Sequence, residues 1–219
     1  MQGTPLVPVL HFEYLGSFLS ADGSLTKEIE TRAQNSTTAF RKLPRGLWES
    51  EMALWIKWEL YKHLIMPILL FGAEAWAPST DDITRMESVL VRHIRCMTNL
   101  SWSSGPTPEQ RVLPPRSAID AVGAFPSMES ILQSARLRLY GQITRAGPYS
   151  FLGKWTYMIT ATDGFTPRGP KKIGWRAMVS GDLIEKGLSA ADCFAIRDWK
   201  TTTSYEPRGP RRLGDKECL

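Results

Sequence analysis

The sequence is poor in the residues that usually build catalytic centres. Its three cysteines, Cys96, Cys193 and Cys218, are far apart and odd in number, with no Cys-x-x-Cys. That argues against a disulfide framework or a zinc site and fits a reducing, intracellular setting, cytoplasm or nucleus. Histidine also occurs only three times, at His11, His63 and His93, tens of residues apart and without the spacing of a zinc hydrolase. His63 and His93 fall on or beside apolar helical stretches and read as structural histidines. There is no Gly-x-Ser-x-Gly, no glycine-rich phosphate loop and no cysteine with a histidine partner, so neither nucleophilic nor nucleotide-binding chemistry has support. Long apolar runs are missing too. The longest charge-free stretch near the middle, His63 to Ala73, is about half the roughly 20 residues a membrane span needs. No membrane partner is expected, and no signal-peptide pattern opens the chain.

What is present is aromatic, basic and unevenly distributed. With 42% hydrophobic residues, the 219-residue chain can bury a sizeable core. Proline and glycine concentrate after residue 100, which predicts a compact first half and a looser second half. Residues 1–100 hold 10 Lys/Arg and 11 Asp/Glu, and the remainder 17 and 11, so the formal charge of +5 arises in the second half. A basic excess permits association with a polyanion.

Alternating apolar residues at Leu10, Phe12 and Tyr14 predict a short strand. Gly16 and the turn signal Asp22-Gly23 allow Phe18 and Leu19 to return as the second strand of a hairpin. The period then changes. Leu25, Ile29, Ala33, Ser36, Phe40 and Leu43 form one helical stripe, with Glu28 and Arg32 paired on the other side, and Pro44 and Gly46 end that helix. A second helix is expected from about Ser50, with Met52, Trp55, Ile56, Leu60, Leu64 and Ile65 on an apolar face widened by Leu54, Trp58 and Tyr61. Pro67 then introduces a kink or a separate turn. Ser79 to Asp82 reads as an acidic start to a third helix, about 81 to 98, with Ile83, Met86, Leu90, Ile94 and Met97 in phase. Five prolines between 106 and 126 predict a loop, with one short turn possible at 117–122. A fourth helix is expected from Ser127 to a stop at Gly141. Trp175 to Lys186 and Ala190 to Trp199 each allow another. The segments 167–174 and 207–214 echo one another, but two copies do not make a repeat architecture.

Paired aspartates such as Asp81-Asp82 can hold the metals of a phosphoryl transferase. These follow Ser-Thr and precede a periodic apolar run, so they read as a helix cap. Arg92 and Arg95 lie on one predicted helix and Arg136 and Arg138 on another. Arg168, Lys171, Lys172 and Arg176 cluster beside Trp175. Basic side chains near an aromatic suit phosphate contact with base stacking, or equally a solvated helix face.

Several stretches together resemble the C-terminal part of non-LTR (LINE-like) retrotransposon endonuclease–reverse transcriptases. They are Phe12-Glu-Tyr-Leu-Gly-Ser17 with Asp22-Gly23, Glu28-Ile29-Glu30, Ala39-Phe40, Leu60-Tyr61, and Met66-Pro-Ile-Leu-Leu-Phe-Gly-Ala-Glu-Ala-Trp76. The series continues through Arg92-His-Ile-Arg95, Ser101-Trp102, Arg136-Leu-Arg-Leu-Tyr-Gly141 and Arg168-Gly-Pro-Lys-Lys172 before Trp175. The resemblance implies a primer-grip-like hairpin over 1–24 with Tyr14, Leu15 and Gly16 at nucleic acid. It further implies a thumb-like helical bundle over 25–100, a Pro-rich loop over 101–126, a helical extension over 127–200 and a disordered basic tail over 201–219.

The fold expected is thus mainly α, with a small N-terminal β-hairpin and a looser basic extension. The family's metal-binding Asp-Asp hairpin would precede Met1, and Gln142 stands where the family commonly has His. The expectation is therefore a truncated reverse transcriptase, with the polymerase's catalytic palm and fingers missing and available as a partner in trans. Such a chain would be inactive alone and hold no cofactor, magnesium belonging to the parent polymerase. It would grip RNA or an RNA–DNA hybrid irrespective of sequence. The alternative is a helical structural or protein-interaction module with no nucleic-acid activity. Tyr14 and Trp175 are candidates for packing or stacking.

Overall fold

The computed structural model describes residues 9–99, 125–151, 153–154 and 174–205. The chain is mainly helical, with one small antiparallel hairpin at its N-terminal end. It forms two compact units. One comprises residues 1–71, 78–125 and 208–219, the other 72–77 and 126–207. The short stretch 72–77, expected inside the 25–100 bundle, therefore belongs to the second unit.

In the first unit, β1 (His11–Tyr14) pairs with β2 (Ser17–Ser20) through a two-residue turn at Leu15-Gly16. Both turn residues have positive φ, 49° and 83°, the requirement of a type I′ turn that matches strand twist. α1 (Thr26–Lys42) follows the predicted stripe, burying Ile29, Ser36 and Phe40. Glu28 and Arg32 were expected on its solvent side and are instead buried. After Pro44 the chain forms a further short helix, α2 (Arg45–Glu49), which the reading of Pro44 and Gly46 as helix stops had not anticipated. A proline that ends one helix also suits the start of the next, where its missing donor is not needed.

α3 (Leu54–Leu64) begins later than Ser50, and its buried residues are Lys57, Trp58 and Tyr61; Leu64 is exposed. With apolar side chains on most sides of this helix, periodicity alone could not choose the stripe. Pro67 opens a separate one-turn helix, α4 (Met66–Leu69). α5 (Thr80–Met97) buries Met86, Leu90, Ile94 and Met97 as predicted.

The core of this unit is a run of rings. Phe40 stacks between Trp48, with centroids 4.7 Å apart, and His93, at 4.3 Å. Tyr61 meets His93 edge-on and Trp58 in a stack. Phe125 closes the run against Trp58.

The second unit has a core of its own, which the expectation of a loose half did not include. α6 (Met128–Ala146) runs straight through Gly141, where a stop was predicted, and ends at Gly147 with φ 78°. Gly141 is there for space, because a side chain at that position would run into the indole of Trp199. α7 (Trp175–Lys186) ends at the left-handed Gly187 as expected. The predicted 190–199 helix is divided into a 3₁₀ turn, Ala191–Phe194, and α8 (Ile196–Thr203), which crosses the expected boundary at 200. Leu137, Val179, Cys193 and Trp199 form the core, flanked by Tyr140, Trp175, Leu183 and Leu188. The 3₁₀ turn Ala73–Ala75 packs against α6. The Pro-rich loop expected over 101–126 lies outside the described residues except for Phe125 and Pro126. Its possible short turn at 117–122, the echo segments apart from Gly174, and the tail beyond Tyr205 also lie outside them.

Candidate nucleic-acid interface

The hairpin turn is held by one buried ion pair. Glu28 accepts from Arg32 Nε at 2.8 Å and from the Phe18 backbone N–H at 2.6 Å. Arg32 then donates to the Gly16 carbonyl and packs its guanidinium 4.4 Å from the Phe71 ring centroid. Buried charges need partners of this kind, and here the partners are the turn's own backbone. The result fixes Leu15 in a conformation that a non-glycine residue seldom adopts. Gly16 is exposed, and so are Tyr14 and Leu15, 58% and 81%. Of the two roles open to Tyr14, packing is not the one it has here.

The second basic region is on α5. Arg92 is exposed and Arg95 half-buried. Two arginines that sequence reasoning did not select join Arg92: Arg41 in the last turn of α1 and Arg45 at the start of α2, both exposed. All three act on the Cys96 thiol. Burial pushes its pKa up, while Arg45, Arg92 and Arg41 pull it down and Glu49 adds to the rise. The same field reaches His93, which burial first, and Arg92 and Arg41 after it, push down to about 4. Arg45 also pairs with Glu49 at 2.9 Å, at an exposed site where the carboxylate can be displaced cheaply. Three exposed guanidiniums from three helices thus lie near enough to the Cys96 thiol to act on it. Such forks match phosphate oxygens. Arg41 and Arg45 lie about fifty residues from Arg92, and their sequence neighbourhood carried only helix-ending signals.

Other predicted residues are placed differently. Arg136 is buried and makes a two-point ion pair with Asp182, Nε to one oxygen at 2.7 Å and Nη2 to the other at 3.0 Å. It is part of the second unit's interior and cannot meet a phosphate without breaking that pair. Arg138, two residues on and so on another side of the helix, is exposed. Trp175 is half-buried beside the second core, and its indole N–H donates to the Glu74 carbonyl at 2.7 Å, which makes it a packing residue. Arg176 is exposed. Arg168, Lys171 and Lys172 lie outside the described residues.

The carboxylates and histidines follow structural logic. Asp82 closes a capping box with Ser79: the Ser79 hydroxyl oxygen accepts from the Asp82 N–H, and Asp82 accepts from the Ser79 N–H. Asp81 is exposed. His93 shares a hydrogen bond with the Tyr61 hydroxyl at 3.0 Å, as a structural histidine should. His63 does not fit that reading, since its ring is exposed near Glu59. Among the described residues no three His, Cys, Asp or Glu side chains gather where a metal ion could be held, and no helix is long and apolar enough to cross a membrane. Lys57 is buried, although nothing in its sequence surroundings marks it as interior. It donates to the Trp48 carbonyl at 2.6 Å and the Met97 carbonyl at 3.2 Å, and burial lowers its pKa.

Compared with protein families, with curated proteins and with solved structures, the chain matches none.

Proposed function

We propose that the chain grips the backbone of RNA or an RNA–DNA hybrid without reading its sequence and without doing chemistry, as the holding part of a reverse-transcriptase-like protein. The observation that carries this reading is that Arg41, Arg45 and Arg92, exposed and on three different helices, all act on the same Cys96 thiol. The outward Tyr14-Leu15 turn, locked by Glu28 and Arg32, supports it. The motif order that resembles LINE-like reverse transcriptases names the ligand. Magnesium and the catalytic carboxylates would belong to the polymerase's palm, and the work would be done in cytoplasm or nucleus.

The test is a titration of the full chain against an RNA–DNA hybrid at several salt concentrations. Log affinity should fall linearly with log salt. Replacing Arg41, Arg45 and Arg92 together by Ala should reduce that slope by up to about three. Absence of binding at low salt, or an unchanged slope in the triple variant, rules the reading out.

A second reading, a protein-interaction module without nucleic-acid activity, is favoured by one observation. Leu10, Phe12, Tyr14 and Leu19, all on one face of the hairpin, are each more than half exposed.

A further inference from the structure

We propose that two copies of this chain pair through the free edge of β1, in an antiparallel register centred on Phe12. This names the partner in the second reading, and it holds whether or not the chain also binds nucleic acid.

The register of the hairpin decides which groups are free. Tyr14 and Ser17 close the two-residue turn, Phe12 faces Leu19, and the Ala21 N–H donates to the Leu10 carbonyl at 2.9 Å. In an antiparallel ladder the residues that exchange hydrogen bonds alternate along the strand. Leu10, Phe12 and Tyr14 therefore direct their backbone groups to β2. The N–H and C=O of His11 and Glu13 point the other way, to an edge that no described element covers. α1 packs against β2, and β1 is exposed along its whole length. Of the usual blocks on an exposed edge, proline and lysine are absent from His11–Tyr14, which is short, at 4 residues, and carries one carboxylate, Glu13.

A second β1 laid antiparallel about Phe12 fits that edge in two independent ways. The two-fold operation puts His11 of each copy opposite Glu13 of the other, and these are the residues whose backbone donors and acceptors face outward. Four main-chain hydrogen bonds can form without disturbing β2. The same operation sets an imidazole against a carboxylate twice, and Leu10 against Tyr14 twice, with Phe12 facing Phe12. Cross-strand pairs of opposite charge and of aromatic with apolar residues are the favourable ones. A shift by one residue to either side brings backbone groups that are already committed to β2 opposite the free ones. The contact is isologous, so it closes at two copies. It is small, so the dimer is expected to be weak and concentration-dependent.

Sedimentation equilibrium of the full chain over a hundredfold range of concentration tests this. The wild type should pass from monomer to dimer and no further. His11→Glu places two carboxylates opposite one another twice, and Glu13→Lys takes away both carboxylates that the imidazoles face; each should weaken association about tenfold. The double variant, His11→Glu with Glu13→Lys, restores opposite charges and should return to within about threefold of wild type, which a general effect on folding would not do. A chain that stays monomeric throughout overturns the proposal. So does association that the single variants leave unchanged or that the double variant fails to recover. Binding of an RNA–DNA hybrid, measured on the same samples, separates the failure of this proposal from failure of the gripping function.

Discussion

Arg92 and Arg136 looked alike in the sequence, each paired with a second arginine on a helix, and the two units use them in opposite ways. Arg92 stands outside a unit closed by rings, where Phe40, Trp48, Tyr61 and His93 stack with one another. Arg136 lies inside the second unit, paired with Asp182 beside the cluster of Leu137, Val179, Cys193 and Trp199. The first unit buries cations as well, Arg32 with Glu28 and Lys57 against two carbonyls, so the aromatic core does not by itself send basic residues outward. Arg136 differs from Arg92 because its side chain joins two helices, α6 and α7. Counting basic residues therefore says little about where a polyanion would bind.

The sharpest way to break this comparison is to remove Arg136. Arg136→Ala leaves the Asp182 charge buried without its partner and should destabilise the second unit by about 3–5 kcal/mol. Replacing both residues by apolar ones of similar size should recover most of that. Urea denaturation of the three proteins checks it. If Arg136→Ala costs under about 1 kcal/mol, in the range of an exposed pair, then the ion pair does not hold α6 to α7.

The first unit should instead be sensitive to acid. His93 titrates at about 4 in the folded chain against an ordinary 6.5, because burial and then Arg92 and Arg41 disfavour its charge. Between those values the unfolded chain takes a proton that the folded chain refuses. This group's penalty is absent above pH 6.5 and grows as pH falls toward 4, reaching on the order of 3 kcal/mol. His93→Gln should flatten that part of the stability–pH curve. A curve equally steep without His93 assigns the effect elsewhere.

The helices on either side of the ring cluster were legible because their apolar residues recur every three or four positions, as Ile29 to Phe40 and Met86 to Met97 do. The hairpin was legible from alternation and Gly16. Less legible was anything that depends on residues far apart. Glu28 and Arg32 have the spacing of a surface pair, and only the position of the hairpin turn makes them interior. Arg41, Arg45 and Arg92 become one patch only when α1, α2 and α5 are assembled. Gly141 has the sequence look of a helix end, and its reason for being there is the indole of a tryptophan 58 positions later.

That last contact gives a further test of the second unit. Gly141→Ala should destabilise the chain by about 1–3 kcal/mol, the usual range for added volume in a packed interior. A glycine inside a helix with open space beside it would respond in the other direction, because alanine is the better helix former by about 1 kcal/mol. A gain in stability would therefore remove the indole contact as the reason for glycine at this position.

The smallest effect is expected at the start of α5, and it bears on the Asp81-Asp82 pair. Ser79→Ala removes the acceptor for the Asp82 N–H and should cost about 1 kcal/mol, with Asp82→Ala similar, since it empties the other half of the box. Asp81 is exposed and makes no bond in that box, so Asp81→Ala should change stability by less than about 0.5 kcal/mol. Thermal melts resolve a difference of that size between neighbouring residues. Equal losses at Asp81 and Asp82 would mean that the two act together, as a metal-holding pair would. An effect confined to Asp82 leaves the cap as the whole explanation.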